Sequence, residues 1–121
     1  MASILIIDDD AQILKMLRQI LERESYDVME ASNGKQGLRL YRENPTDLVI
    51  TDIIMPEKEG IEIIIELKRD YPDVKIIAIS GGGRINPEDY LDIAKKLGAH
   101  RIFAKPVERK QLLTAIQELL Q

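Results

Sequence analysis

Residues Asp47–Gly60 read DLVITDIIMPEKEG. Leu48-Val49-Ile50 is an apolar run that passes through Thr51 and stops at Asp52; a loop with Pro56 follows, and Gly60 opens a helical pattern. Short β-branched runs without alternation are what parallel strands buried on both faces look like. A strand that ends in one carboxylate presents it at the C-terminal edge of its sheet, where open parallel sheets place their ligand sites. Asp52 is therefore the expected reactive centre.

The same pattern recurs on either side. Ile4-Leu5-Ile6-Ile7 is a second apolar run, stopped by Asp8-Asp9-Asp10. From Ala11 the period changes, and Ile13, Leu14, Leu17, Ile20 and Leu21 fall on one helical face, with Asp9 or Asp10 placed to cap it. Tyr26–Ala31 alternates as a half-exposed edge strand does. Ser32-Asn33-Gly34 signals a turn or helix start, and a helix through Leu38, Leu40 and Tyr41 ends before Pro45. Gly34 and Gly37 make this the weakest helix, because each interior glycine costs about 1 kcal/mol against alanine.

Downstream, a helix from about Gly60 to Asp70 stops at Pro72. Val74–Ile79 is a strand interrupted only by Lys75; it ends at Ser80, before Gly81-Gly82-Gly83. Asn86-Pro87 starts a helix with a cap followed by proline; Tyr90, Ile93, Ala94 and Leu97 form its inner face, and Gly98 stops it. Arg101–Ala104 is a short strand closed by Lys105-Pro106, and a last helix carries Leu112, Leu113, Ile116, Leu119 and Leu120 on one side. Strands and helices in strict alternation predict an α/β fold, a doubly wound five-stranded parallel sheet with helices on both faces.

The length of 121 residues predicts one domain, 1–121. The chain is 45% hydrophobic but has no Trp and a single Phe, so aliphatic side chains must build the core. A net charge of -4 argues against a nucleic-acid partner, whose phosphates need excess Lys and Arg. Without cysteine there is neither a disulfide framework nor thiol chemistry. MASILIIDDD lacks the basic start of a signal peptide, and no uncharged stretch approaches the ~20 residues that span a bilayer. A cytoplasmic protein without membrane insertion is expected.

Four strand ends carry polar residues: Asp8 and Asp9, Asp52, Ser80, and Lys105. In a parallel sheet these ends share one edge, so residues far apart in sequence converge. Three neighbouring carboxylates repel one another and take up protons unless a counter-charge is near. A hard divalent cation such as Mg²⁺ with oxygen ligands supplies one, and the Lys105 ammonium another. A cation and an ammonium beside one carboxylate make a place for a phosphoryl group. Asp52 is then the nucleophile, forming an aspartyl phosphate, and Ser80 hydrogen-bonds one of the new oxygens.

The motifs ILIIDDD, DLVITDIIMPEKEG, IIAISG and FAKP, in this order, resemble the receiver domains of two-component response regulators, including the stand-alone chemotaxis type. The likeness runs from Ile4 to the last helix. The resemblance implies a flavodoxin-like (βα)5 fold with strand order 2-1-3-4-5, an order for which the chemotaxis regulator is itself a standard example. It implies that Asp52 is the phosphoacceptor, that Asp8, Asp9 and Asp52 hold Mg²⁺ with the backbone carbonyl of Ile54, and that Ser80 and Lys105 contact the phosphoryl group. The Lys105-Pro106 peptide is expected to be cis. A histidine kinase or phosphotransfer protein would be the donor and a downstream effector protein the output partner. A monomer or weak dimer is expected.

Three positions depart from the family pattern. Ile102 stands where an aromatic switch residue is usual, with Phe103 beside it. The glycine-rich segment after Ser80 is long. Ile54 and Gly82 are apolar where polar side chains are frequent. With Ile102 in place of an aromatic, ordering of the Gly81–Gly83 loop and the helix after it is the main expected readout of activation.

The rival class is an Mg²⁺-dependent phosphohydrolase with an aspartate nucleophile. It needs an acid-base Asp just downstream of the nucleophile, and position 54 is Ile. His100, the only histidine, is expected to have a surface or packing role away from the site. Gly81–Gly83 is no P-loop, since no Gly-Lys-Ser/Thr follows. Glu57-Lys58-Glu59 reads as a solvated loop, and Tyr90, Lys95, Lys96, Arg101 and Lys110 read equally as a basic-edged partner surface or as an ordinary solvated face. Nothing resembling an effector domain follows the last helix, so output is expected through partner binding, from a complete regulator or a piece of a longer one.

Overall fold

Ile4–Ile7, Leu48–Ile50 and Ile76–Ile79 carry no polar side chain, so only the middle of a sheet covered on both faces can hold them. A computed structural model of the chain describes residues 2–53, 59–80, 92 and 95–121. The expectations for Ile54, Pro56, Glu57-Lys58, Gly81–Gly83 and most of the helix from Asn86-Pro87, with Tyr90, Ile93 and Ala94, lie outside the described residues.

Five parallel strands, β1 (Ser3–Ile7), β2 (Asp27–Ala31), β3 (Leu48–Asp52), β4 (Ile76–Ser80) and β5 (Arg101–Ala104), form one sheet in the order β2-β1-β3-β4-β5. Every residue of β3 and β4 is buried, whereas the edge strands β2 and β5 are half exposed, as the loose alternation of Tyr26–Ala31 predicts.

Among the described residues four helices pack on the sheet: α1 (Ala11–Arg23), α2 (Gly34–Glu43), α3 (Glu59–Asp70) and α4 (Arg109–Leu120). Because successive strand residues face opposite sides, the core has two layers. Leu14, Leu17 and Leu21 of α1 and Leu112, Ala115 and Ile116 of α4 cover Ile4, Ile6, Leu48, Ile50, Ile77 and Ile79. Tyr41 of α2 and Ile63, Ile64 and Leu67 of α3 cover Leu5, Ile7, Val49 and Ala78. No helix among the described residues is long and apolar enough to cross a membrane.

Local chemistry sets the boundaries. Of the two candidate caps it is Asp10 that caps α1, its carboxylate accepting from Gln12 N at 2.9 Å, and Asn33 caps α2 through Gln36 N at 2.8 Å. The fourth strand begins at Ile76, two residues later than the apolar run suggests. The Val74 N–H closes a turn onto Tyr71 O, and Lys75 reaches away to donate its ammonium to Leu119 O near the end of α4.

Gly37 is more than a weak point in α2. A Cβ there would stand 2.5 Å from Ile7 Cδ1 and 2.9 Å from Ile7 Cγ1, so the missing side chain lets α2 lie directly on β1. Gly37→Ala is expected to destabilise the fold by about 1–3 kcal/mol, overpacking outweighing the gain in helix propensity. Ile7→Val, which removes Cδ1, should recover part of the loss in the double mutant. Urea unfolding of the four chains measures both, and a neutral Gly37→Ala would contradict the packing argument.

Candidate functional site

The strand order decides which polar ends meet. β1 and β3 are neighbours at the centre, so Asp8, just past β1, and Asp52, the last residue of β3, lie side by side. Both are buried, at 2% and 4% exposure, and neither is a usual core residue. Lys105, just past β5, lies over them: its Nζ is 3.0 Å from Asp8 Oδ2 and 3.0 Å from Asp52 Oδ2. The backbone holds this arrangement in register. Asp8 N donates to Ala31 O at 3.1 Å, Ile53 N to Ile79 O at 2.9 Å, and Lys105 N to Ser80 O at 2.8 Å. The other oxygen of Asp8 accepts from Asp10 N at 2.9 Å. The Lys105-Pro106 peptide is cis, as expected.

Asp9 is exposed, yet it brings a carboxylate oxygen to the same place: Asp8, Asp9 and Asp52 each offer one oxygen, all within 4.8 Å of one another. This all-oxygen donor set fits a hard divalent cation. Ser80 is fully buried at the end of β4, and its Oγ has no hydrogen-bond partner among the described residues. A buried hydroxyl without a protein partner is uncommon, and a water or an anion can supply the missing acceptor. The structure thus brings Asp8, Asp9, Asp52 and Lys105 together, with Ser80 one strand away from Asp52. Ile54 lies outside the described residues.

Burial is the largest influence on Asp8 and pushes its carboxyl above the ordinary 3.8, against the opposing Asp10 N–H and Lys105; the Asp9 charge adds least. Burial also pulls on the Lys105 ammonium, but its hydrogen bonds to Asp52 and Asp8 more than offset this and leave it above its usual value. The carboxylate repulsion read from the sequence is therefore secondary to desolvation, because Asp9 faces water and the ammonium stands between the other two.

Sequence reasoning found no role for the end of β2. Its Ala31 carbonyl anchors the Asp8 backbone, a contact set by strand register that no side chain announces. Beside the site, Ile13, Met16, Leu17, Ile79, Pro106, Val107 and the Lys105 stem enclose an apolar cavity of about 90 Å³. Ile102 packs into the layer under α2 and α3, while Phe103 packs into the opposite layer. A wider cleft of about 750 Å³, lined by Tyr41, Asp47, Asp70, Tyr71 and Lys75 among others, includes none of these polar residues.

The sequence profile of the response regulator receiver domain matches residues 4–117. The chain belongs to that family. The receiver domain is 33% identical over 120 residues to the transcriptional regulatory protein GlrR of Escherichia coli, covering 99% of this chain but only 26% of that protein. It is 34% identical over 117 residues to the chemotaxis protein CheY of Halobacterium salinarum, covering 97% of this chain and 95% of the relative. A crystal structure of a response regulator receiver domain protein from Clostridium thermocellum superposes with a TM-score of 0.91 at 36% identity, over 99% of this chain and 94% of that one.

The receiver's central carboxylates give a stability signature. Folding raises the Asp8 pKa, so the uncharged acid is the form the fold prefers. Its contribution is present below the unfolded value near 3.8 and is lost as pH rises through the higher folded value. In metal-free buffer at pH 7, Asp8→Asn should melt higher by roughly 4 °C or more per ~1 kcal/mol relieved, an advantage that shrinks toward pH 3.5. Asp9→Asn should stay within ~0.5 kcal/mol of wild type, as exposed sites do. Thermal melts across this range check the ordering, which an equal or larger gain from Asp9→Asn would reverse.

Proposed function

We propose that this receiver domain is an Mg²⁺-dependent phosphoacceptor. Asp52 takes a phosphoryl group from a histidine kinase or phosphotransfer protein, and the modified domain controls binding of a downstream effector protein in the cytoplasm. In this reading Asp8, Asp9 and Asp52, with the carbonyl of Ile54, hold the cation. When bound, Mg²⁺ supplies positive charge against which phosphoryl oxygens can approach the carboxylates.

The chain's own groups do the rest. An Asp52 carboxylate oxygen attacks phosphorus; the new P–O bond forms as the donor's P–N bond breaks, and the leaving imidazole takes up a proton. Lys105 offers its ammonium to one phosphoryl oxygen, and the Ser80 hydroxyl donates to another, each a charge-assisted bond. The new charge biases a conformational equilibrium that partners read. The domain catalyses only its own phosphorylation and slow dephosphorylation, with no turnover of a free substrate.

The observation that carries this reading is the buried pair of Asp52 and Asp8 sharing one ammonium, with the Ser80 hydroxyl, unpartnered among the described residues, one strand away. Incubation with acetyl phosphate and Mg²⁺ should add one phosphoryl mass to the intact chain, lost in Asp52→Ala and with EDTA. Ser80→Ala should slow labelling at least about tenfold, the ~1.4 kcal/mol value of one such contact. Undiminished labelling of Asp52→Ala would overturn the assignment, and steady turnover of small phosphate esters would favour a phosphohydrolase.

A further inference from the structure

At the end of the sheet remote from the acidic cluster, a side chain takes the place of a backbone group. Ile76, the first residue of β4, is fully buried. Its carbonyl accepts from His100 N at 2.8 Å, and its N–H donates to His100 Nδ1 at 3.3 Å. In a parallel ladder the N–H and C=O of one residue pair with groups two residues apart on the neighbouring strand. Continuing the β4–β5 register back from Ile77 opposite Arg101, the carbonyl due to Ile76 N would come from Ala99, which lies between the turn at Gly98, φ 114°, and the start of β5. The His100 imidazole stands in for that missing carbonyl.

We infer that His100 is a pH-sensitive latch: its neutral imidazole closes the first rung between β4 and β5, and protonation opens it. To accept at Nδ1 the ring must carry its proton on Nε2, a tautomer assigned from the hydrogen bond. With both nitrogens protonated the ring has no acceptor. The Ile76 N–H would then face a second N–H in a place where backbone groups are almost always paired.

Among the described residues the charged groups acting on the ring are Lys68 from α3, Lys75 from the segment entering β4 and Arg101 from β5, all cations. Each has a carbonyl partner. Lys68 Nζ donates to Val74 O at 2.9 Å and Pro72 O at 3.4 Å, Lys75 Nζ to Leu119 O, and Arg101 to His100 O at 2.9 Å. His100 as a residue is exposed, and partial desolvation of its ring first, then these cations, hold it below its ordinary 6.5. The latch is thus fully closed above the unfolded value and is lost as pH falls through the lower folded one. Asp8 acts in the opposite direction, so acid weakening of this rung cannot come from it. The strand that follows the latch ends at Ala104, one residue before Lys105, whose N–H pairs with Ser80 O. The inference does not depend on phosphorylation.

The test uses metal-free, unphosphorylated chain and two magnetic-resonance readouts. The His100 ring signals should titrate with a midpoint below 6.5. Protection of the Ile76 amide against hydrogen exchange, corrected for the intrinsic pH dependence of exchange, should fall about tenfold between about pH 7.5 and 5. His100→Asn and His100→Ala, which cannot titrate at this position, should remove that pH dependence. A His100 midpoint at or above 6.5, or the same fall in protection in both variants, would overturn the latch.

Discussion

One ammonium answers two carboxylates that have almost no contact with water. Lys105 stands 3.0 Å from both Asp8 and Asp52, and each of the three residues leaves the end of a different strand. Ions in such a place must be matched by close partners or they lose their charge. The rest of the architecture serves that match. The apolar runs of β1, β3 and β4 make a sheet that has to be covered on both faces. The order β2-β1-β3-β4-β5 then makes neighbours of Asp8 and Asp52. Backbone bonds from Ala31, Ile79 and Ser80 fix how far each chain end reaches past the edge.

What the sequence revealed and what it hid follow from dimensionality. Asp52, Asp8 and Lys105 were legible because each interrupts or ends an apolar run, and such a break is visible along one chain. The strand alternation was legible for the same reason. The hidden features depend on register between distant segments. Gly37 reads as a propensity defect until Ile7 is seen beneath it. Lys75 reads as a flaw in a strand until Leu119 is seen to receive its ammonium. Ala31 carries no chemical signal at all, because its contribution is a carbonyl. His100 was correctly expected to stand apart from the acidic cluster, but its pairing with Ile76 requires knowing where β5 starts and how Gly98 turns.

The resting site is held short of its own best stability. The Ser80 hydroxyl is buried without a partner among the described residues, and the Asp8 carboxyl is displaced toward its acid form by burial. Groups left in this condition are a common cost of function, and substitutions that relieve them tend to stabilise a protein while impairing what it does. In the proposed reading an incoming anion with a cation would satisfy both at once, and ligand binding would then be coupled to folding through the same few atoms.

Ala2 and Leu120 line the same cleft, together with Lys75, at the sheet edge opposite the acidic cluster. The start of β1 and the end of α4 therefore open onto the same end of the sheet, and domain ends placed close together tolerate insertion into a host loop and circular permutation. Joined there by a short linker, the chain could be reopened at an exposed turn such as Glu24-Ser25, where Ser25 already occupies a positive φ of 68°. Spliced into another protein through those neighbouring ends, the domain would present its acidic edge on the side away from the joint. A sensor assembled in that way would need no remodelling of the sheet.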